Sequence, residues 1–407
     1  MINKKHHVKP RAIFFIVKRY SLYPSLEVLI KVLEKVFDLT LCGPGYSTEN
    51  KTYFHSPKDA FDRLGGFDAA FIDLGLYVLN KETALSDIRR YNNNFFPASV
   101  LKCKIAKNFS KDFNTLCCEK FLSLVGMDPY GCTEDVYKSI LNFPGKLVAY
   151  PSYFMSPKKE VLALKKKEIF HDKVNFLYER VLNSRKKDVI PYAHALSDIE
   201  FNFKKKKFKY DISVPGCSYI RRKEMKSFLE EEGLFKFKGY YRVKNFLGAI
   251  DNKNQGSVLR KFHIMYMRFL HRQLISNGFS TYTDGSQLNY LVRKFLEIPA
   301  FGSILLAAPF YNHSKAGFIE GKHFIKTNRE NIVDTITYLK KDYQYAQTIR
   351  QNSFEMVKEK HSETAWVNYF MKIWNLIVSK NYEEAFWDNE NLQIRSQCAK
   401  KIFDKQV

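Results

Sequence analysis

Arg293 and Glu297 stand four residues apart in YLVRKFLEIPAFGSILLAAP, where an amphipathic helical pattern runs through a glycine turn at Gly302 into an apolar run, Ser303 to Ala308. On a helix that spacing puts a guanidinium and a carboxylate on one face. Two chemistries fit. One is an exposed ion pair worth about 0.3–0.5 kcal/mol. In the other, Glu297 accepts hydrogen bonds from ribose hydroxyls while Arg293 meets a phosphate, at the carboxyl edge of a sheet where open α/β folds bind ligands. The neighbouring turn and buried strand favour the second.

A second group of candidates lies in DISVPGCSYIRR, Asp211 to Arg222. It reads as strand, tight turn and helix. Gly216 lets the backbone approach a ligand, and the helix start offers free N–H groups and a positive dipole end. Arg221 and Arg222 fall in the first helical turn, where that dipole disfavours cations, so at least one of them reads as a diphosphate ligand rather than a surface charge. His194, in IPYAHALSD, is either a hinge-loop histidine packed between domains or a residue touching the transferred sugar. His194 and Arg293 are the two catalytic candidates, and no catalytic base is assigned. Asp284 and Ser286 precede the Arg293 helix as caps or ligands. Lys315 to Glu320 follows the apolar strand, where its backbone could reach a donor sugar.

The elements that must hold these residues alternate along the chain. Ala12 to Val17 reads as a buried parallel strand. A helix follows from Pro24, with Leu26, Leu29, Ile30, Leu33, Val36 and Phe37 on one face. Asp38 to Cys42 is a strand, Ser56 opens a second helix, and Phe67 to Leu74 is a third strand. Val100 to Ala106, Lys146 to Tyr150 and Asp188 to Ile190 are further strand candidates. Val161 to Phe170 and Val174 to Leu182 are less regular. The tract Lys204 to Lys207 reads as a linker. A second α/β half follows: a strand at Tyr210 to Val214, helices at Tyr219 to Glu232 and His263 to Leu274, the Arg293 helix with its strand, a strand at His323 to Lys326, and helices from Asn331 to the end. The expected fold is α/β, two Rossmann-like domains facing a central cleft. The expected boundaries are 1–195, 196–375, and 376–407 as terminal helices packing back on the first domain.

Composition narrows the partners. The 407 residues carry 66 Lys+Arg against 42 Asp+Glu, a formal charge of +24. That field favours phosphorylated substrates, an acidic membrane surface or nucleic acid. The Lys runs at 165–167 and 204–207 are solvated faces or an anionic-lipid patch. Seven scattered cysteines without a CxxC pair suggest a reducing compartment and no metal site. No P-loop, G-x-G-x-x-G, G-x-S-x-G, H-E-x-x-H or D-x-D motif is present, so no metal or cofactor is expected. No leader peptide or membrane-spanning run is visible, which reads as a cytoplasmic protein with a peripheral membrane option.

Four segments resemble the GT-B glycosyltransferases of the group-1 type, including their spore-coat-like branch. They are IPYAHALSDIEF, DISVPGCSYIRRKEMKSFL with its Gly-x-x-Y-x-x-R spacing at Gly216, Tyr219 and Arg222, YLVRKFLEIPAFGSILLAAP with an R-x-x-x-E-x-x-A-x-G-x-x-L-L pattern, and the closing stretch from Gly317 to Ser362. They lie between about Ile190 and Phe370. The resemblance implies that Glu297 binds the nucleotide ribose and that Arg221 or Arg222 binds diphosphate. It implies a nucleotide-diphosphate sugar as donor substrate and a glycan or glycolipid hydroxyl as acceptor, with a retaining outcome and surface polysaccharide or glycoconjugate as product. Two departures stand out. Asn289 occupies the position where many relatives place a sugar-binding Glu, and the first loop, VKRYSLYPS, lacks glycine. Two alternatives stay open: a sugar-nucleotide epimerase of the same fold, and a basic protein binding nucleic acid or anionic lipid without catalysis.

Overall fold

The run Ala12 to Ile16 has no polar interruption, and every one of its side chains is fully buried. A short, β-branched and aromatic run buried on both sides suits a strand covered on both faces. It forms β1 (Arg11–Phe15), the inner strand beside which the first sheet is laid down. The structure, a computed structural model, describes residues 9–17, 24–46, 53–54, 56–77, 104–105, 109–116, 121–125, 140–149, 184–192, 194–203, 207–216, 220–234, 257–284, 291–308, 313–388 and 391–396.

From β1 the chain enters α1 (Pro24–Val36), whose apolar face is buried, and returns as β2 (Asp38–Cys42). Short β3 (Tyr53–Phe54) precedes α2 (Pro57–Leu64). That helix is capped by the Ser56 hydroxyl, which accepts from the Asp59 N–H at 3.2 Å. Next come β4 (Ala69–Asp73), α3 (Leu74–Tyr77), β5 (Lys104–Ile105), α4 (Phe109–Thr115), β6 (Phe121–Val125), β7 (Lys146–Ala149) and β8 (Val189–Pro191). The sheet order is β2-β1-β4-β6-β7-β8, with every pairing parallel. The strand sequence reverses between β1 and β4, the kind of switch point at which open α/β sheets present a crevice. Val161 to Phe170 and Val174 to Leu182 lie outside the described residues.

The second sheet is built in simple succession: β9 (Tyr210–Ser213), α5 (Ile220–Glu231), α6 (Ser257–Asn277), β10 (Gly278–Thr283), α7 (Lys294–Ala300), β11 (Ile304–Ala307) and β12 (Ile325–Lys326). Its order is β12-β11-β10-β9, again all parallel. Strand β10 was not expected from the sequence, although it is an inner strand. Three helices follow: α8 (Ile332–Lys341), α9 (Tyr343–His361) and α10 (Glu363–Val378).

The expectation of helices to the end is corrected here. Residues 382–396 form an antiparallel hairpin, β13 (Tyr382–Asp388) and β14 (Asn391–Ser396). Alternation explains it: Ala385 and Trp387 point inward from β13, and Leu392 does so from β14. The hairpin lies on the first sheet, where Trp387 Nε1 donates to the Pro191 carbonyl at 3.0 Å. Helix α10 lies on α1, with the Phe37 and Trp374 rings 5.0 Å apart. Trp366 is wholly buried against Tyr192, at 4.6 Å between centroids.

The two passages between the sheets run side by side. Leu196 N–H donates to the His361 carbonyl at 2.8 Å, and Glu363 N–H donates to the Leu196 carbonyl at 2.7 Å. Ser197 Oγ donates to Glu363 Oε2 at 2.9 Å, and Thr364 Oγ1 to Asp198 Oδ2 at 2.6 Å. The outgoing and returning strands of chain are thus stitched into one junction.

Candidate functional site

At the carboxyl edge of the second sheet, the β9 strand ends in the turn Val214-Pro215-Gly216. Gly216 has φ +96°, in the left-handed region that favours glycine. The space beside it is filled by the ends of two long side chains. A Cβ at this position would overlap Lys294 Cε and Nζ and would lie 3.3 Å from Arg222 Nη1. So the Lys294 ammonium and the Arg222 guanidinium converge on the Gly216 backbone.

Arg222, in the first turn of α5, turns inward. Its Nη2 donates to Asp284 Oδ1 at 2.5 Å and to the Asp284 carbonyl at 3.3 Å, and both side chains are buried. Arg222 and Asp284, expected as separate ligands, therefore meet each other and tie the start of α5 to the end of β10. Lys294 was missed by the sequence reading. The signal was present, since a lysine in the first turn of α7 is disfavoured by the helix dipole, as Arg221 and Arg222 are in α5. Tyr219, Ser286 and Asn289 lie outside the described residues, and the Arg221 side chain is likewise outside them.

One turn further along α7 lies the second cluster. Arg293 Nε donates to Glu297 Oε1 at 2.8 Å, Nη1 to the Ala195 carbonyl at 2.7 Å and Nη2 to Glu200 Oε2 at 2.7 Å. His271 Nε2 lies 3.1 Å from Glu297 Oε2, and Arg272 Nη2 donates to Glu200 Oε1 at 3.0 Å. Arg293 and Glu297 are therefore a mostly buried ion pair, not an exposed one, within a five-residue network that joins α6, α7 and the segment leaving the first sheet. Burial alone would raise the Glu297 carboxyl, but His271 and Arg293 hold it well below the usual range. Glu200 was missed as a participant. Its signal was Ser197-Asp198-Ile199-Glu200, a capping-box spacing, and Glu200 Oε2 does accept from the Ser197 N–H at 2.8 Å.

His194 is buried beside this network, with a positive φ of 24°. Its Nδ1 lies 2.7 Å from Ser25 Oγ at the start of α1. Burial, reinforced by the Arg293 charge, pushes its imidazole down to about 3. Arg350 secures the turn after α7. Its Nε donates to the Gly302 carbonyl, and its guanidinium lies 4.3 Å from the centre of the Phe203 ring. Among the described residues no group of three or more His, Cys, Asp or Glu is placed to hold a metal ion, and no helix is long and apolar enough to cross a membrane.

His194 makes stability depend on pH in a definite direction. Its folded value lies below its ordinary 6.5, so the stability it supports is complete above that pH and is lost as the pH falls from there toward 3. Each such imidazole removes about 1.4 kcal/mol per pH unit within that window. Thermal midpoints should therefore fall between about pH 7 and about pH 5. His194→Asn, a residue that tolerates positive φ, should flatten that slope. A variant with the wild-type slope would take His194 out of the account.

No sequence-family model matches the chain, and no curated protein matches it in sequence. Among solved structures, sucrose-phosphate synthase from Thermosynechococcus elongatus is similar with a TM-score of 0.50 at 8% identity, over 91% of this chain and 100% of that one. HepE from Anabaena in complex with UDP-glucose gives 0.49 at 8% identity, over 90% and 99%. A glycosyltransferase from Rickettsia africae gives 0.49 at 11% identity, over 91% and 99%. At such identities the likeness is one of architecture. With two parallel α/β sheets joined by a doubled crossing, and with Gly216, Arg222, Asp284 and Lys294 at the carboxyl edge of the second, the chain has the GT-B fold.

Proposed function

We propose that this chain is a glycosyltransferase that moves a sugar from a nucleoside-diphosphate donor to a hydroxyl of a glycan or glycolipid. The observation that carries the reading is the convergence of Lys294 and Arg222 on the glycine turn at the end of β9. A departing diphosphate needs positive charge and N–H donors fixed in advance, and this turn offers both beside the start of α5. The fold shared with sucrose-phosphate synthase supports the same reading. Arg222, oriented by Asp284, and Lys294 then stabilise the leaving group without a metal. Glu297 accepts the ribose hydroxyls, because a carboxylate has about four lone-pair sites and Arg293 and His271 engage one oxygen each. Arg293 acts as the residue that positions Glu297. Retention of configuration and a product in surface polysaccharide or glycoconjugate belong to the same proposal.

A panel of nucleoside diphosphates and nucleotide sugars, screened by thermal shift and then calorimetry, tests it. At least one member should bind the wild-type protein. Lys294→Met should weaken that binding about tenfold or more, the loss of a charge-assisted hydrogen bond. Glu297→Ala should weaken it several-fold. If no member of the panel raises the melting temperature, the reading fails. If the donor's sugar is altered with no acceptor present, epimerisation replaces transfer.

A further inference from the structure

The longest helix in the second half, α6, carries an apolar patch that the donor site does not use. Met265, Tyr266 and Phe269 are 55%, 45% and 54% exposed. At positions i, i+1 and i+4 they form one continuous face, and the rings of Tyr266 and Phe269 stack with centroids 6.5 Å apart. Other exposed large hydrophobics among the described residues, such as Ile199 and Val378, are scattered singly, but three fall here within one turn. A patch of this kind marks an interaction surface.

The helix also has a consistent charge. From Ser257 to Asn277 it contains Arg260, Lys261, Arg268 and Arg272 and no Asp or Glu. Arg268 and Arg272, both partly exposed, stand beside the patch. Each of these arginines is paired with a glutamate of another segment, Arg268 with Glu27 and Arg272 with Glu200, so attraction to the headgroup layer of an anionic bilayer rests on a helix without acidic residues of its own and on the net charge of the chain. The formal charge of +24 adds long-range attraction to such a surface and repels a second copy of the chain. Met265 and Phe269 present hydrocarbon and thioether surface, which fits acyl chains better than a phosphate backbone.

We propose that this face of α6 docks the protein on an anionic lipid surface. Beside the docked face, Arg268 Nη1 donates to Glu27 Oε2 of α1 at 3.2 Å. The inference does not depend on the donor-site reading.

The test is cosedimentation of the full chain with vesicles of phosphatidylcholine alone or mixed with phosphatidylserine. Binding should require phosphatidylserine and weaken as salt rises. The double variant Met265→Glu with Phe269→Glu should partition at least about tenfold more weakly, with its melting temperature unchanged. Phe269→Trp, which keeps the face apolar, should shift its emission to the blue when phosphatidylserine vesicles are added. Failure of the wild-type chain to bind, equal binding by the double variant, or an unshifted tryptophan would overturn the proposal. So would retention on duplex DNA without vesicle binding, or a dimer that the double variant disperses without vesicle binding.

Discussion

Arg293→Met is expected to destabilise the protein by about 3–5 kcal/mol, because it removes the cation from a buried network and leaves its carboxylates behind. Arg293 donates to three separate acceptors, Glu297, Glu200 and the Ala195 carbonyl. Glu200 keeps Arg272 and Glu297 keeps His271, so the lower end of that range is the better expectation. Arg293→Lys should recover little. An ammonium retains the charge but cannot reproduce a planar fork that reaches three acceptors on different segments. Urea unfolding of both variants measures this, and a loss below about 1 kcal/mol for the methionine variant would place the network among ordinary surface ion pairs. Because Arg293 joins α7 to the segment leaving the first sheet, its loss should also sharpen the dependence of activity on temperature.

The second large effect is on ligand binding. Gly216→Ala should reduce nucleotide-sugar affinity about tenfold or more, and should lower stability by about 1–3 kcal/mol through the left-handed backbone it forces on an L-residue. The added methyl overlaps the Lys294 ammonium, so the cation must shift from its place against the turn. The two losses separate by experiment. Unfolding reports the backbone strain, and calorimetry at a temperature where both proteins are folded reports the displaced lysine. A Gly216→Ala protein that binds as tightly as wild type would show that the turn does not contact the donor.

The strands visible in the sequence were short runs rich in apolar or β-branched residues and bounded by turns, Tyr210 to Val214 among them. Ala12 to Ile16 and Asp38 to Cys42 stand out because nothing polar interrupts the first and turn residues follow the second. The inner strand β10 has the sequence GFSTYT and hides its role in hydroxyls. Ser280 Oγ donates to the Asp211 carbonyl at 2.8 Å. Thr281 Oγ1 lies 2.8 Å from Ser213 Oγ and 2.7 Å from Ser303 Oγ, and Ser303 Oγ donates to the Gly278 carbonyl at 2.9 Å. A ladder of satisfied hydroxyls crosses β9, β10 and the start of β11, and lets polar side chains occupy a sheet interior. No hydrophobic periodicity records such a ladder. Strand β6, FLSLV, was missed as well, and its polar centre, Ser123, is buried. Within the site, Arg293 and Glu297 were legible as a pair because helical spacing is local. Their partners were not, because Glu200 and His271 come from other segments. The Arg222–Asp284 pair spans 62 positions of chain, a distance that only tertiary structure closes.

The doubled crossing between the sheets has a consequence for how the molecule is made. The first sheet uses residues 11 to 191, but α10 on its flank and the hairpin against Pro191 come from residues 363 to 396. The second sheet is in effect an insertion within the first lobe. During synthesis from the amino terminus, that lobe must wait until residues 363 to 378 have been made before Tyr192 meets Trp366 and Phe37 meets Trp374. A ribosome-stalled chain ending near residue 360 would hold the strands of the second sheet and a first sheet with a bare apolar flank, making residues 363 to 396 the step that commits the newborn first lobe to solubility.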